Sequence, residues 1–352
     1  MRNRVSFFNP FLSIFTICSY PYQLNILDTI NSDIIQNGAL ESLVSMAKAE
    51  HYGSLRLLSI KILRIMSEAP HSLPHTRHKL CDSGAVTALG TTLRDDVMFI
   101  RSSMDNSSPE SNSSDLINGT FSNDFLTCSN ALSVGDVLEE MRHVMRGLAN
   151  ILQHSFLPDE EENLRVFAVA YTHLISSGGV KSLLWIATID QSSCSTLEIT
   201  DWDCLRDIQI DACGTLASLC PILVFLKERS RSAMKWAPYV LSALLSILKN
   251  EVLVGSVNAD SLGFPDVCID ALQGLGSLAE YEPLKTRIID EFLPQLLKLQ
   301  QCEENRSFSY AATQVCLSLG FNEVETGVGL DAYLLSDKFS FSRSRLIQAM
   351  AR

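Results

Sequence analysis

The chain has 352 residues, of which 46% are apolar. That content excludes wholesale disorder, and the length exceeds one ordinary single-core domain, so two compact domains or one elongated repeat array are expected. Lysine and arginine total 28 against 40 aspartates and glutamates, and the formal net charge of −12 argues against non-specific nucleic-acid binding.

Met1 to Arg4 followed by VSFFNPFLSIFTICSY has the charge and apolar character of a signal peptide, but Asn9-Pro10 interrupts the run. No uninterrupted apolar run approaches the roughly 20 residues of a membrane span, so no such span is expected. Ten cysteines are dispersed with no CxxC pair, which excludes a zinc ribbon or thioredoxin-like motif and fits a reducing, cytoplasmic compartment.

Beyond the N-terminus apolar residues recur at three- and four-residue intervals almost throughout, and strand signals are scarce, so the chain is expected to be all-α. Two kinds of segment repeat. The first is a polar link, a glycine and an apolar-spaced helix: Ile34 to Ala47 around Gly38, Leu80 to Leu93 around Gly84, and Leu174 to Ala187 around Gly178 or Gly179. Glycine there lets one helix stop and the next begin within a residue or two. The second is a helix of small and apolar residues: Ser59 to Glu68, His143 to Gln153, Asp211 to Cys220, Asp270 to Glu280 and Ala311 to Gly320.

Spacing between the second kind is uneven, which insertions explain. Arg101 to Asp136, rich in Ser, Asn, Asp and Gly, reads as a flexible loop; Asp159 to Glu162 reads as a solvated acidic turn and Asp190 to Asp203 as a third excursion. The acidic run Asp201 to Asp207 lacks a calcium-loop pattern and reads as a helix start. From Thr326 a basic tail with a short helix follows.

His71, His75, His78 and Cys81 have offsets that could stack imidazoles on one helical face for zinc, but Pro74 would sit inside that helix, and a polar exit loop is the simpler reading. No GxSxG, GxGxxG or Walker pattern occurs, and the glycines Gly274 and Gly276 are expected to let helices approach closely. Asn112, Asn118 and Asn305 match a glycosylation pattern that carries no meaning in a reduced chain. Ser108-Pro109 is open to a proline-directed kinase.

The two recurring segments resemble the armadillo repeat family, in which a Gly-Ala-hydrophobic turn opens one helix and a later A-x-x-A-L-x-N-L helix lines a shared concave face. The resemblance runs from about Asn9 to Gly320; before Leu241 to Lys249 and Phe292 to Leu299 the prolines Pro238 and Pro294 replace the turn glycine, and HEAT-like repeats fit that half too. It implies a right-handed α-solenoid of irregular armadillo-like repeats over 1–325 and a helical, basic tail over 326–352. It also places FLSIFTICSY as a groove helix instead of a signal peptide.

At the family's groove asparagine stand Ile65, Asn150, Ser218, Ser277 and Ser318. Four residues earlier stand Lys61, Arg146, Gly214, Gln273 and Gln314, and none is the tryptophan of nuclear-import receptors. His143, Asp211 and Asp270 lie seven residues before the asparagine position, on the same face. With Arg56 and Arg64 the first repeats read as basic and the later ones, with Asp266, as acidic. The candidate groove is therefore Lys61, Arg64, His143, Arg146, Asn150, Asp211, Ser218, Asp270, Gln273, Ser277 and Gln314. The expected function is a non-catalytic scaffold or adaptor for a peptide or partner helix, without metal or cofactor. The alternatives are a regulatory or targeting module of a larger protein whose catalytic domain lies beyond this chain, and a small metal enzyme built on the histidines.

Overall fold

The computed structural model describes residues 30–48, 53–68, 74–105, 133–152, 161–189, 199–227, 229–255, 265–300 and 306–321. His71, the expected groove helix FLSIFTICSY, Ser108-Pro109, the three glycosylation asparagines, the centre of the expected insert and the basic tail lie outside the described residues. Among the described residues every regular element is a helix, as the apolar period predicts. In chain order these are α1 (30–36), α2 (Ala39–Ala47), α3 (Ser54–Glu68), α4 (Pro74–Asp82), α5 (Ala85–Asp105), α6 (Val134–Leu152) and α7 (Glu161–Ser176). They continue as α8 (Gly179–Thr188), α9 (Ile199–Leu226), α10 (Arg231–Met234), α11 (Ala237–Gly255), α12 (Pro265–Leu278), α13 (Glu282–Gln300) and α14 (Arg306–Ser318).

The packing steps by three helices from α3 to α12 and by two at the last contact. α3 packs on α6, α6 on α9, α9 on α12 and α12 on α14, forming one ladder. A second row runs α2, α5, α8, α11, and α4 packs on α7 in a third. Of the five segments of the second kind, Ser59 to Glu68 and Asp211 to Cys220 lie wholly within ladder helices, and the other three lie in ladder helices up to their last one or two residues. Their neighbours are parallel: Arg64 meets His143 and Ser67 meets Asn150 between α3 and α6, while Cys204 meets the Leu138 carbonyl and Asp211 meets Arg146 between α9 and α6. Buried apolar side chains from Leu40 to Phe321 join into one connected core, so the described helices are not divided between two cores.

The three turn glycines, Gly38, Gly84 and Gly178, have φ of 68°, 82° and 83°. This left-handed backbone costs most residues 1–2 kcal/mol or so and costs glycine nothing comparable. Gly179 serves close packing instead. A Cβ there would lie 3.2 Å from the Gly90 Cα, so α5 and α8 touch backbone to backbone.

Several expected boundaries move. α5 runs on through Asp105 and α6 starts at Val134, so both ends of the Arg101 to Asp136 insert are helical. The start of α6 is set by a reciprocal cap, in which the Asp136 N–H donates to Ser133 Oγ (3.1 Å) and the Ser133 N–H donates to Asp136 Oδ2 (3.2 Å). Glu161 and Glu162 belong to α7, and Asp201 to Asp203 to α9, with Asp201 in its first turn as a helix start requires.

Pro238 lies at the start of α11, whereas Pro294 is internal to α13 and marks no turn. The burial of Ile288, Ile289, Phe292, Leu293 and Leu296 around it offsets the lost backbone hydrogen bond. Pro221 is internal to α9 in the same way. Pro74 opens α4 and does not interrupt it, because a first-turn proline sacrifices no helical bond.

One stretch, Asp201–Leu226, has the length and apolarity of a membrane span, although charged residues interrupt its first half. Of its most apolar window 67% is buried. α9 lies between α6 and α12, and a helix covered on both flanks is apolar nearly all round.

Candidate functional site

Each inner ladder helix has partners on two flanks, which leaves a narrow exposed stripe with helical spacing. On α6 the stripe is Glu139, Arg142, Arg146 and the half-buried Asn150; on α9 it begins with Asp203 and Asp207. Side chains link neighbouring stripes into a polar seam. Lys61 Nζ reaches Glu139 Oε1 at 2.8 Å, Asn150 Nδ2 donates to Ser67 Oγ at 3.3 Å, and Arg146 Nη1 lies 2.9 Å from Asp211 Oδ1.

Arg64 is held by Glu68 through Nε at 2.7 Å and donates from Nη1 to His143 Nδ1, also at 2.7 Å. Because a guanidinium only donates, Nδ1 must accept, which leaves the imidazole proton on Nε2, 3.6 Å from Glu139 Oε1. Burial first, then the positive charges of Arg64 and Lys61, push His143 below the usual histidine range, with Glu139 opposing. The folded state thus holds the neutral imidazole, and its contribution to stability is lost as pH falls from the ordinary value of 6.5 through the lower folded value. Urea unfolding from pH 7 to about 5 should therefore show the stability of the wild type falling relative to His143→Asn. A difference that is flat or rises towards acid would contradict the arrangement.

The seam includes most of the expected groove residues, with corrections. Lys61 and Arg64 are half-buried, Arg146, Gln273 and Gln314 are exposed, and Asn150, Ser218, Asp270 and Ser277 are half-buried. His143 and Asp211 are buried, so neither is a freely solvated groove group. Asp211 lies in the middle of α9, far from a helix start, and burial raises its carboxyl while Arg146 opposes the rise. Exchanging Asp211 for Asn therefore acts on folding as well as on the surface. Arg56 does not belong to a basic groove at all: it is 3% exposed and paired with Glu140 and Asp96 inside the fold. Leu317 is exposed while Cys316 is buried, so Cys316 takes the position of Leu148, Leu216 and Leu275 in the last ladder helix.

Sequence reasoning missed Glu139, Arg142, Asp203 and Asp207. The signal was present. Glu139 and Arg142 precede Arg146 by seven and four residues, and Asp203, Asp207 and Asp211 follow one another at steps of four. Reading Asp203 as part of an insertion hid the second series. Together these residues make the α3 and α6 part of the seam richer in cations, with Lys61, Arg64, Arg142 and Arg146, and the α9 and α12 part acidic.

The six described cysteines are unbonded. Burial pushes the thiols of Cys81 and Cys316 up to about 12 and raises those of Cys204 and Cys220, so they behave as small apolar side chains. Among the described residues no three His, Cys, Asp or Glu side chains converge to hold a metal ion.

No family model matches the chain, and no curated protein does. Among solved structures the chain is similar to an engineered protein at 14% identity, covering 80% of this chain and 96% of that one, with a TM-score of 0.38. A second engineered protein, also at 14% identity, covers 94% of this chain and 82% of its own, with a TM-score of 0.27.

Proposed function

We propose that the chain is a right-handed α-solenoid of irregular armadillo-like repeats and acts as a non-catalytic interaction scaffold. The observation that carries this reading is the polar seam crossing the ladder helices, of which the inner ones, α6, α9 and α12, are covered on two flanks by their neighbours. A stack of this kind leaves a continuous face several helices long, suited to an extended peptide or a partner helix. The seam's charge changes sign along it, so the partner is acidic where it lies over α3 and α6 and basic over α9 and α12. Charge matching of this sort fixes orientation and speeds encounter more than it adds affinity.

Synthetic peptides test the reading: one with an acidic block and a basic block joined by a short neutral spacer, one wholly acidic and one wholly basic. Fluorescence anisotropy at low salt should show the bipolar peptide binding about tenfold tighter than either control, with the advantage fading as salt is added. Reversing the exposed charges together, Arg142→Glu with Asp207→Lys, should abolish that preference while leaving folding nearly unchanged. Equal binding of all three peptides, or a preference that survives the reversal, would rule out the seam as the binding face.

A further inference from the structure

Charge is unevenly spread along the chain. Between Asp211 and Glu251 stand five cations, Lys227, Arg229, Arg231, Lys235 and Lys249, against one acid, Glu228. Four of the cations fall within residues 227–235, a positive stretch in a chain whose formal charge is −12. The fold gathers them where α9, α10 and α11 meet. α10 buries Ala233, while Arg231 and the C-cap Lys235 are exposed, as is Lys227 just past the end of α9. Arg229 sets its guanidinium 3.9 Å from the centre of the Phe225 ring. A cation past a helix C-terminus favours the dipole, which accounts for Lys227 but not for the cluster. No described carboxylate pairs with Lys227, Arg231 or Lys235, whereas the seam cations Lys61, Arg64 and Arg146 each reach one.

Two aromatic side chains adjoin these cations. The rings of Trp236 and Tyr239 lie 6.0 Å apart, and Tyr239, in the first turn of α11, is 63% exposed. Arg287 of α13 lies beside that turn, donating to the Pro238 carbonyl at 3.3 Å and to Ser242 Oγ at 2.9 Å, and it is itself paired with Glu291. Unpaired cations call for an anionic partner, and two features favour a lipid surface over a protein segment. The exposed groups sit on a four-residue helix and the first turn of the next, and a plane of headgroups asks for charge density without shape complementarity. Tryptophan and tyrosine, with an apolar ring and a polar tip, settle at the headgroup level of a bilayer.

We propose that the α10 surface is a peripheral contact site for anionic phospholipid, with Lys227, Arg231 and Lys235 over the headgroups and Tyr239, beside Trp236, entering the interfacial layer. Each cation held near such a surface raises partitioning about fivefold. Screening over about 10 Å at 0.1 M salt keeps acidic groups elsewhere on the chain from cancelling a local patch. The rest of this acidic chain gains nothing from the membrane, so the contact is reversible and oriented. It is independent of the seam, since neither α10 nor α11 is a ladder helix.

Co-sedimentation of the full chain with phosphatidylcholine vesicles, with and without phosphatidylserine, tests this. Partitioning to the anionic vesicles should be at least about tenfold stronger, and the preference should fade as salt is raised. Reversing Lys227, Arg231 and Lys235 to Glu together should abolish it while leaving the melting temperature nearly unchanged. Should that variant fail to fold, Arg231→Gln with Lys235→Gln should still weaken binding more than about tenfold. Tryptophan emission should shift to the blue on binding, and Trp236→Phe should remove the shift although Trp185 and Trp202 remain. Equal partitioning to neutral and anionic vesicles, or undiminished binding after the charge changes, would overturn the proposal. A soluble polyglutamate peptide bound through the same cations, with no preference between the vesicles, would mark an acidic protein partner and overturn the lipid assignment.

Discussion

Replacing Arg56 by Met is expected to destabilise the fold by about 3–5 kcal/mol, the cost of leaving buried charge without its partner. Arg56 of α3 lies with Nη2 2.6 Å from Glu140 Oε1 of α6 and 3.4 Å from Asp96 Oδ1 of α5. The three side chains are almost completely buried, and one cation faces two carboxylates. Burial already raises the Glu140 carboxyl above its ordinary value, with Arg56 opposing the rise. Without Arg56 that opposition is gone. A carboxyl raised in the folded state binds its proton more tightly there than in the unfolded chain, so stability is regained as pH falls through the folded value. The penalty of Arg56→Met should accordingly shrink in mild acid, while the triple change Arg56→Met, Asp96→Leu, Glu140→Met recovers most of it at neutral pH. Urea midpoints at two pH values measure both effects; a loss below about 1 kcal/mol at neutral pH would show that the cluster is not buried as described.

Gly274→Val should cost about 1–3 kcal/mol, whereas Gly276→Ala two residues away should stabilise by up to about 1 kcal/mol. A Cβ at Gly274 would lie 2.9 Å from Leu244 Cδ1, 3.1 Å from the Ala217 Cα and 3.2 Å from Cys220 Sγ. Leu244 can rotate, but the Ala217 backbone cannot yield without moving α9. At Gly276 the nearest atoms are 3.8 Å or more away, ordinary contact distances, so alanine adds helix propensity without strain. The expectation that both glycines permit close approach thus holds for Gly274 alone. Thermal unfolding of the two variants should move in opposite directions, and a shift of the same sign in both would remove the argument from the α9–α12 contact.

The contrast between the two glycines extends to the whole chain. What the sequence determined by itself is local: the helical period, the left-handed turns at Gly38, Gly84 and Gly178, the helix start at Asp201, and the five segments that became ladder helices. A period or a positive φ depends on residues within about four positions, so composition there is sufficient information. The Ser133 and Asp136 cap was legible in the same way and was overlooked inside a polar stretch. Tertiary structure alone decided that Arg56 is an interior cation, since its partners lie 40 residues away at Asp96 and 84 away at Glu140. It also decided that Asp211 is buried beside Arg146, that α13 runs through Pro294, and that the flank of α3 carrying Leu55 and Leu58 has no described partner. Burial is set by whichever helix arrives alongside, and a polar or proline residue is tolerated where the contacts around it outweigh its local cost.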